Sequence, residues 1–217
     1  MSTIQDLFQQ AQLAQAAYAS FFDNAGNLVT TNAGVIRALQ NGGMSETQAT
    51  AFVAQWRVVD QMQNTTSGFS ATTFERLNAD GTGSGQYAFA PRGTEPFAQG
   101  GVDLRQADLT QIRGDGLAYS QIVDMYNYWG SLKATAGQSY QAAQLQTLDV
   151  ATQELQRLAA SHYAADQAAY QNYKSGLQGS GYLVGVDNTV QTVAFVNSTQ
   201  LATRPCNWQE VICKACL

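Results

Sequence analysis

Residues 69–90 read FSATTFERLNADGTGSGQYAFA, and in this stretch two β-prone runs flank a connection rich in Gly, Asn and Asp. The pattern predicts a β-hairpin with strands at 69–77 and 87–90. The connection contains DGTGSG, which lacks the lysine of a P-loop and the ligand spacing of an EF-hand, so we interpret it as a plain hairpin loop.

Helical periodicity dominates the chain before this hairpin. Apolar residues recur at three- and four-residue spacing over residues 4–18, which predicts an amphipathic helix with Ser2 or Thr3 as its N-cap. A second helix is predicted after Ser45, whose spacing to Gln48 fits a capping box. Its core-facing residues are predicted to be Phe52, Val53 and Trp56.

Helices and strands also alternate after the hairpin. The pattern predicts a helix that ends near Gly130, a long Ala- and Gln-rich helical region over residues 139–174, and a strand pair at 182–184 and 190–196. Strands that alternate with long helices predict an α/β fold in which helices flank a mixed sheet.

Composition narrows the class of partner. The 217 residues carry a net charge of −5 and only 12% charged residues, and the basic residues are scattered singly from Arg37 onward. Nucleic acid and anionic membranes are therefore poor partners. No apolar run approaches the roughly 20 residues of a transmembrane helix, and the N-terminus lacks the charged region of a signal peptide.

Few residues have the chemistry of a catalytic or metal site. His162 is the only histidine, and it is predicted to lie inside the long helix, where a surface or packing role is more common than catalysis. The pattern G-x-S-x-G is absent, so the sequence predicts no nucleophile elbow, no catalytic base and no conventional Ser-His-Asp triad.

The three cysteines, Cys206, Cys213 and Cys216, all lie in the last twelve residues. Together with His162 they would make a Cys₃His zinc set, since Cys213 and Cys216 have C-x₂-C spacing. The alternative is a tail with unpaired thiols, which we favour because a single C-x₂-C is a weak zinc signature. We therefore expect no cofactor.

A distinctive motif follows the hairpin, where residues 87–96 read YAFAPRGTEP. A strand that ends in Arg-Gly-Thr supplies a glycine at which the backbone amides turn toward a neighbouring site. It also supplies Thr94, whose amide and hydroxyl are both suited to donate hydrogen bonds to a developing oxyanion.

This motif resembles the oxyanion strand of class 3 type lipases of the α/β-hydrolase fold. Residues 115–129, DGLAYSQIVDMYNYW, are similar to the large secreted bacterial lipases of that group that carry calcium-binding repeats, and the resemblance covers about residues 12–200. It implies a partial α/β-hydrolase-like sheet, hydrolysis of lipid or carboxylic esters through a serine, a role for Thr94 in the oxyanion hole, and an extracellular location. The calcium-binding repeats are absent from this sequence.

The family pattern breaks at about Thr203. We therefore expect residues 1–202 to be the N-terminal portion of a lipase-like domain and residues 203–217 to be a Cys-containing tail outside the fold, as in a shortened or frame-shifted coding region. Since no triad is encoded, little or no esterase activity is expected. A partial sheet would leave the strand at 190–196 with an unpaired edge, which predicts self-association.

A non-catalytic interaction module is the alternative to an ester hydrolase. In that hypothesis the apolar helical faces of residues 4–18 and 145–158 contact a partner.

Overall fold

The structure is a computed structural model that describes residues 3–93, 118–134 and 137–199. Its described residues form two compact units: residues 3–65 and 69–93 belong to unit 1, and residues 66–68, 118–134 and 137–199 belong to unit 2. Among these residues, no helix has the length and apolar character needed to cross a membrane. The expected boundary at residue 203 lies outside the described residues.

Unit 1 places three helices before a three-stranded sheet. Its elements, in chain order, are α1 (Ile4–Ala16), α2 (Asn32–Asn41), α3 (Glu46–Val53), β1 (Trp56–Met62), β2 (Ala71–Leu77) and β3 (Gly83–Pro91). The strands pair antiparallel in the order β1-β2-β3, so the predicted hairpin is confirmed as β2 and β3.

The core of unit 1 forms around the central strand β2. Phe74 of β2 is fully buried, and its ring makes edge contacts with Phe21 and Phe52 at centroid distances of 5.9 and 5.3 Å. Aromatic pairs prefer such geometry because the positive ring edge meets the negative face. The predicted burial of Phe52 on α3 is therefore confirmed.

The N-terminal caps of α1 and α3 follow the sequence signals. Thr3 is the N-cap of α1 and forms a capping box with Asp6, and Ser45 forms one with Gln48 at the start of α3. In each box, a side-chain oxygen satisfies a backbone N–H that has no partner inside the helix. Trp56 was predicted to share the face of α3, but it begins β1.

Unit 2 combines three helices with a second antiparallel sheet. Its elements are α4 (Tyr119–Lys133), β4 (Ser139–Thr147), α5 (Asp149–Ala160), α6 (Ala164–Gly179), β5 (Leu183–Val184) and β6 (Val190–Thr199). The strands pair in the order β4-β6-β5. The α/β class is thus confirmed, although the strands of the described residues form two small antiparallel sheets instead of one mixed sheet.

The prediction of one long helical region over residues 139–174 was wrong. Its first part is the strand β4, and the rest is divided between α5 and α6. Ala and Gln favour helix, but β4 pairs with β6 along its whole length, and this tertiary pairing overrides local propensity. Leu155 and Leu158 are buried, so the apolar face predicted at 145–158 is not a free surface.

Gly130 was predicted to end a helix, yet α4 continues to Lys133. A Cβ at position 130 would lie 2.9 Å from Cδ2 of Tyr140, inside van der Waals contact. The glycine therefore permits close packing of α4 on β4 and does not act as a stop signal.

Within the described residues, the strand at 190–196 has the unpaired edge that was predicted for it over most of its length. As part of β6 it pairs with β4 along one side, and it also pairs with β5 at Val190 and Gln191. Within the described residues, its second side is without a strand partner from residue 192 onward. The sheet is therefore closed on one side of β6 and mostly open on the other.

Candidate functional site

The end of β3 is the part of the predicted oxyanion motif that the structure describes. Pro91 is the last residue of this edge strand, where a residue without an N–H is tolerated. The N–H of Arg92 then donates to the carbonyl oxygen of Ser70 at 2.8 Å, which extends the pairing of β3 with β2 by one residue. Arg92 is therefore still held to the sheet.

Two further hydrogen bonds fix the motif to the chain after α1. The Nε of Arg92 donates to the carbonyl oxygen of Ala17 at 3.2 Å, and the N–H of Gly93 donates to the hydroxyl of Tyr18 at 3.1 Å. Ala17 is the C-cap of α1, so the guanidinium also lies where a helix dipole favours positive charge.

Glycine at position 93 leaves room for this close approach of Tyr18. A Cβ at position 93 would lie 2.6 Å from the hydroxyl oxygen of Tyr18. A side chain at position 93 would therefore require the exposed ring of Tyr18 to shift. The chain that leads into Thr94 is therefore held by Tyr18.

Gln61 fixes the same post-helix segment from β1. Its Nε2 donates to the carbonyl oxygen of Ala19 at 2.7 Å and to Oγ1 of Thr72 at 2.9 Å. Its Oε1 accepts the N–H of Phe21 at 2.8 Å. Gln61 is only 5% exposed, and these bonds use both ends of its amide, as a buried polar group requires.

Arg92 and Gln61 together give the candidate site a rigid support. One holds the carbonyl of Ala17, the other holds that of Ala19, and both belong to the three-stranded sheet or its immediate end. Rigidly held backbone is what a preorganised oxyanion donor needs, because the donor must not reorganise when charge develops.

The remaining predicted site residues are not assembled with this strand end in the described residues. Thr94 itself lies outside the described residues, as do Cys206, Cys213 and Cys216. Both the oxyanion assignment and the zinc alternative therefore remain predictions.

His162 was predicted inside a long helix, but it lies in the short connection between α5 and α6 and is exposed. The neighbouring Ser161 donates from Oγ to Oδ2 of Asp166 at 2.5 Å. In a triad, the imidazole must stand between the serine and the carboxylate, whereas here the serine bonds the carboxylate directly. Ser161, His162 and Asp166 therefore lie at the connection between α5 and α6 and do not form a triad.

No three His, Cys, Asp or Glu side chains of the described residues come together in a way that would hold a metal ion. The aspartates at turns instead accept hydrogen bonds from their own loops. The backbone N–H of Asn27, for example, lowers the pKa of Asp23 below its ordinary value.

Sequence patterns missed two residues of the candidate site. Tyr18 was assigned to the apolar stripe of the first helix, but it follows α1 and uses its hydroxyl. Gln61 is a polar residue within the run WRVVDQM of β1. Because buried polar residues in strands usually have specific hydrogen-bond partners, its position in this run was the one sequence feature that indicated such a role.

The chain was compared with known proteins in three ways. No family model matches it, and neither a curated protein nor a solved structure is significantly similar to it.

Proposed function

We propose that this chain is a lipase-like region of a serine hydrolase that acts on lipid or carboxylic esters. In this proposal Thr94 donates its amide and its hydroxyl to the oxyanion of the tetrahedral intermediate. The observation that carries it is the anchoring of Arg92 and Gly93, the two residues before Thr94, on the sheet and on Tyr18. An α/β-hydrolase-like arrangement and an extracellular location belong to the same proposal, through the sequence resemblance.

The anchoring supports this function for an energetic reason. A donor that is fixed before the reaction needs no reorganisation when the negative charge appears, and one such donor is typically worth about 10² to 10³ in kcat. The space that a Cβ would fill at Gly93 is occupied by the hydroxyl of Tyr18, which accepts the Gly93 N–H and thereby fixes the backbone before Thr94.

Turnover requires a nucleophile and a base as well. The described residues bring no serine, histidine and carboxylate into triad geometry, and His162 is exposed in a helix connection. We therefore expect this chain to bind a tetrahedral ester mimic but to hydrolyse p-nitrophenyl butyrate far more slowly than a lipase does.

Calorimetric titration with butylphosphonate, a tetrahedral anion with an acyl-like chain, tests the proposal. The wild-type chain should bind it, and Thr94→Val should bind it about tenfold more weakly or worse, because a hydrogen bond to a charged group is lost. Thr30→Val is the matched control, since Thr30 is exposed and makes no hydrogen bond among the described residues. Equal affinity of all three proteins, or no binding, contradicts the oxyanion assignment.

A fluorophosphonate probe separates binding from catalysis. The proposal expects no labelled serine, because the probe reacts only with an activated nucleophile. Stoichiometric labelling together with turnover that His162→Ala abolishes would show a working triad and would overturn this part of the proposal.

An interaction module is the second candidate function, and α1 favours it. Ile4 is 86% exposed, and Leu7 and Phe8 on the next turn are also exposed. Apolar anchors at i, i+3 and i+4 are the pattern that a helix presents to the apolar groove of a protein partner.

The double variant Leu7→Gln/Phe8→Gln tests this second function, with Val150→Gln as its control because Val150 is exposed on α5. Melting temperatures should not change. A purified partner that binds wild type and Val150→Gln but not the double variant supports an interaction module, and equal binding by all three proteins contradicts it.

A further inference from the structure

The two edges of the second sheet differ in how their backbone groups are covered. On the β4 edge, Asn127 of α4 bonds the backbone of Ala143 twice: its Nδ2 donates to the carbonyl oxygen at 2.8 Å, and its Oδ1 accepts the N–H at 2.6 Å. On the opposite side of the sheet, β5 covers β6 only at Val190 and Gln191. In the described part of the chain, nothing pairs with that side of β6 beyond Gln191.

The bonds to Asn127 reveal which backbone groups of β6 face the open side. Since the N–H and carbonyl of Ala143 both point to α4, Ala143 and its partner Phe195 form a pair without hydrogen bonds between them. The N–H and carbonyl of Phe195 therefore point away from β4, toward the open side. Because backbone direction alternates along a strand, the same holds for Val193 and Asn197.

Side chains on this stretch do not protect the open edge. Natural edge strands usually carry charges, prolines or bulges that prevent pairing with another chain. None of these occurs in β6, whose sequence is VQTVAFVNST and whose pairing with β4 is regular. Phe195 is 58% exposed at the middle of the stretch, and its ring contacts Tyr126 at a centroid distance of 5.8 Å.

We infer that two copies of this chain pair antiparallel through the open edges of β6, with Phe195 opposite Phe195 of the second copy. In this register Val193 lies opposite Asn197, and all three outward-facing residues exchange their N–H and carbonyl groups. About six hydrogen bonds form, two at each pair. The two sheets thereby become one continuous sheet.

Three features of β6 favour a second copy as the occupant. The pattern of outward groups is symmetric about Phe195, so the strand is complementary to itself under a two-fold rotation. The strand has no charge, so its two copies do not repel each other. The exposed rings of Phe195 would also lie side by side, because directly opposite residues share one face of a sheet. β5 occupies the edge at Gln191 and thereby limits the pairing to about residues 193–197.

Sedimentation of the full chain over a range of concentrations tests this inference. Wild type should show a monomer–dimer equilibrium. Phe195→Lys should raise the dissociation constant about tenfold or more, because it places two like charges opposite each other. Val196→Lys is the matched control: Val196 is also exposed, but its neighbour in the second copy would be Ala194 and not another lysine. Val193→Pro removes an outward N–H without breaking the β4 pairing, and should also weaken the dimer.

A disulfide tests the register directly, in a full chain whose three cysteines are replaced by serine. Phe195→Cys should cross-link on oxidation, because paired positions have Cα atoms about 5.5 Å apart. Val196→Cys should not, since its two copies lie more than about 7 Å apart. A monomer at every concentration, a dimer that Phe195→Lys leaves intact, or equal cross-linking at both positions overturns the inference.

Discussion

A substitution of Gln61 measures how much its hydrogen bonds to the segment after α1 contribute to the free energy of unfolding. The change Gln61→Leu keeps the approximate size of the side chain but removes its hydrogen bonds to Ala19, Phe21 and Thr72. All three partners are buried, so the backbone N–H of Phe21 and the carbonyl of Ala19 would lose their hydrogen-bond partner and could not bond to water instead. Each buried unsatisfied group costs about 1–3 kcal/mol, which predicts a loss of about 4 kcal/mol in the free energy of unfolding.

Urea unfolding followed by the fluorescence of Trp56 measures this loss within unit 1, because Trp56 is buried at the start of β1. Replacing Trp129 and Trp208 by Phe leaves Trp56 as the reporter. Gln63→Leu is the matched control, since Gln63 is exposed and follows the same strand, and it should change the free energy by less than about 0.5 kcal/mol. A loss below about 1 kcal/mol for Gln61→Leu would mean that these hydrogen bonds do not support the segment after α1.

Three more outcomes follow from specific contacts. Gly83→Ala should cost about 1–3 kcal/mol in urea unfolding, because its Cβ would overlap the carboxylate of Glu75, which is 3% exposed and cannot move away freely. Asn127→Ala should cost about 2–4 kcal/mol, because it strips both bonds from the buried backbone of Ala143. The N–H of Thr189 lowers the pKa of Asp187 below its ordinary value of 3.8, so the contribution of this carboxylate should be complete above that value and be lost as pH falls further. Unfolding measured between about pH 5 and pH 2 should show a smaller loss in Asp187→Asn than in wild type, and equal losses would contradict this assignment.

Local signals predicted those parts of the fold that depend on nearby residues. The N-cap at Thr3, the capping box at Ser45 and the hairpin loop after Leu77 are each encoded within a few residues, and each is present. β4 was mistaken for helix because Ala and Gln favour helix locally. Its strand state depends on β6, about fifty residues later, and that pairing leaves no mark in the local pattern.

In the candidate site, too, the sequence predicted the local features but not the long-range contacts. The strand that leads to Arg92 and the glycine after it were predicted from the motif, since both are local features. The contacts of Arg92 with Ala17 and of Gly93 with Tyr18 join residues 75 positions apart. No periodicity or spacing within one segment reports such a contact, so the support of the motif required the structure.

The backbone amide signals of Gly93 and Thr94 test the central proposal most directly. In a titration of the ¹⁵N-labelled chain with butylphosphonate, these two amides should show saturable shifts, with the Gln63 amide unchanged as an internal control. Tyr18→Phe, which removes the hydroxyl that accepts from the Gly93 N–H, should weaken the binding. Amides at 93 and 94 that do not respond while the chain remains folded would contradict an oxyanion site at the end of β3.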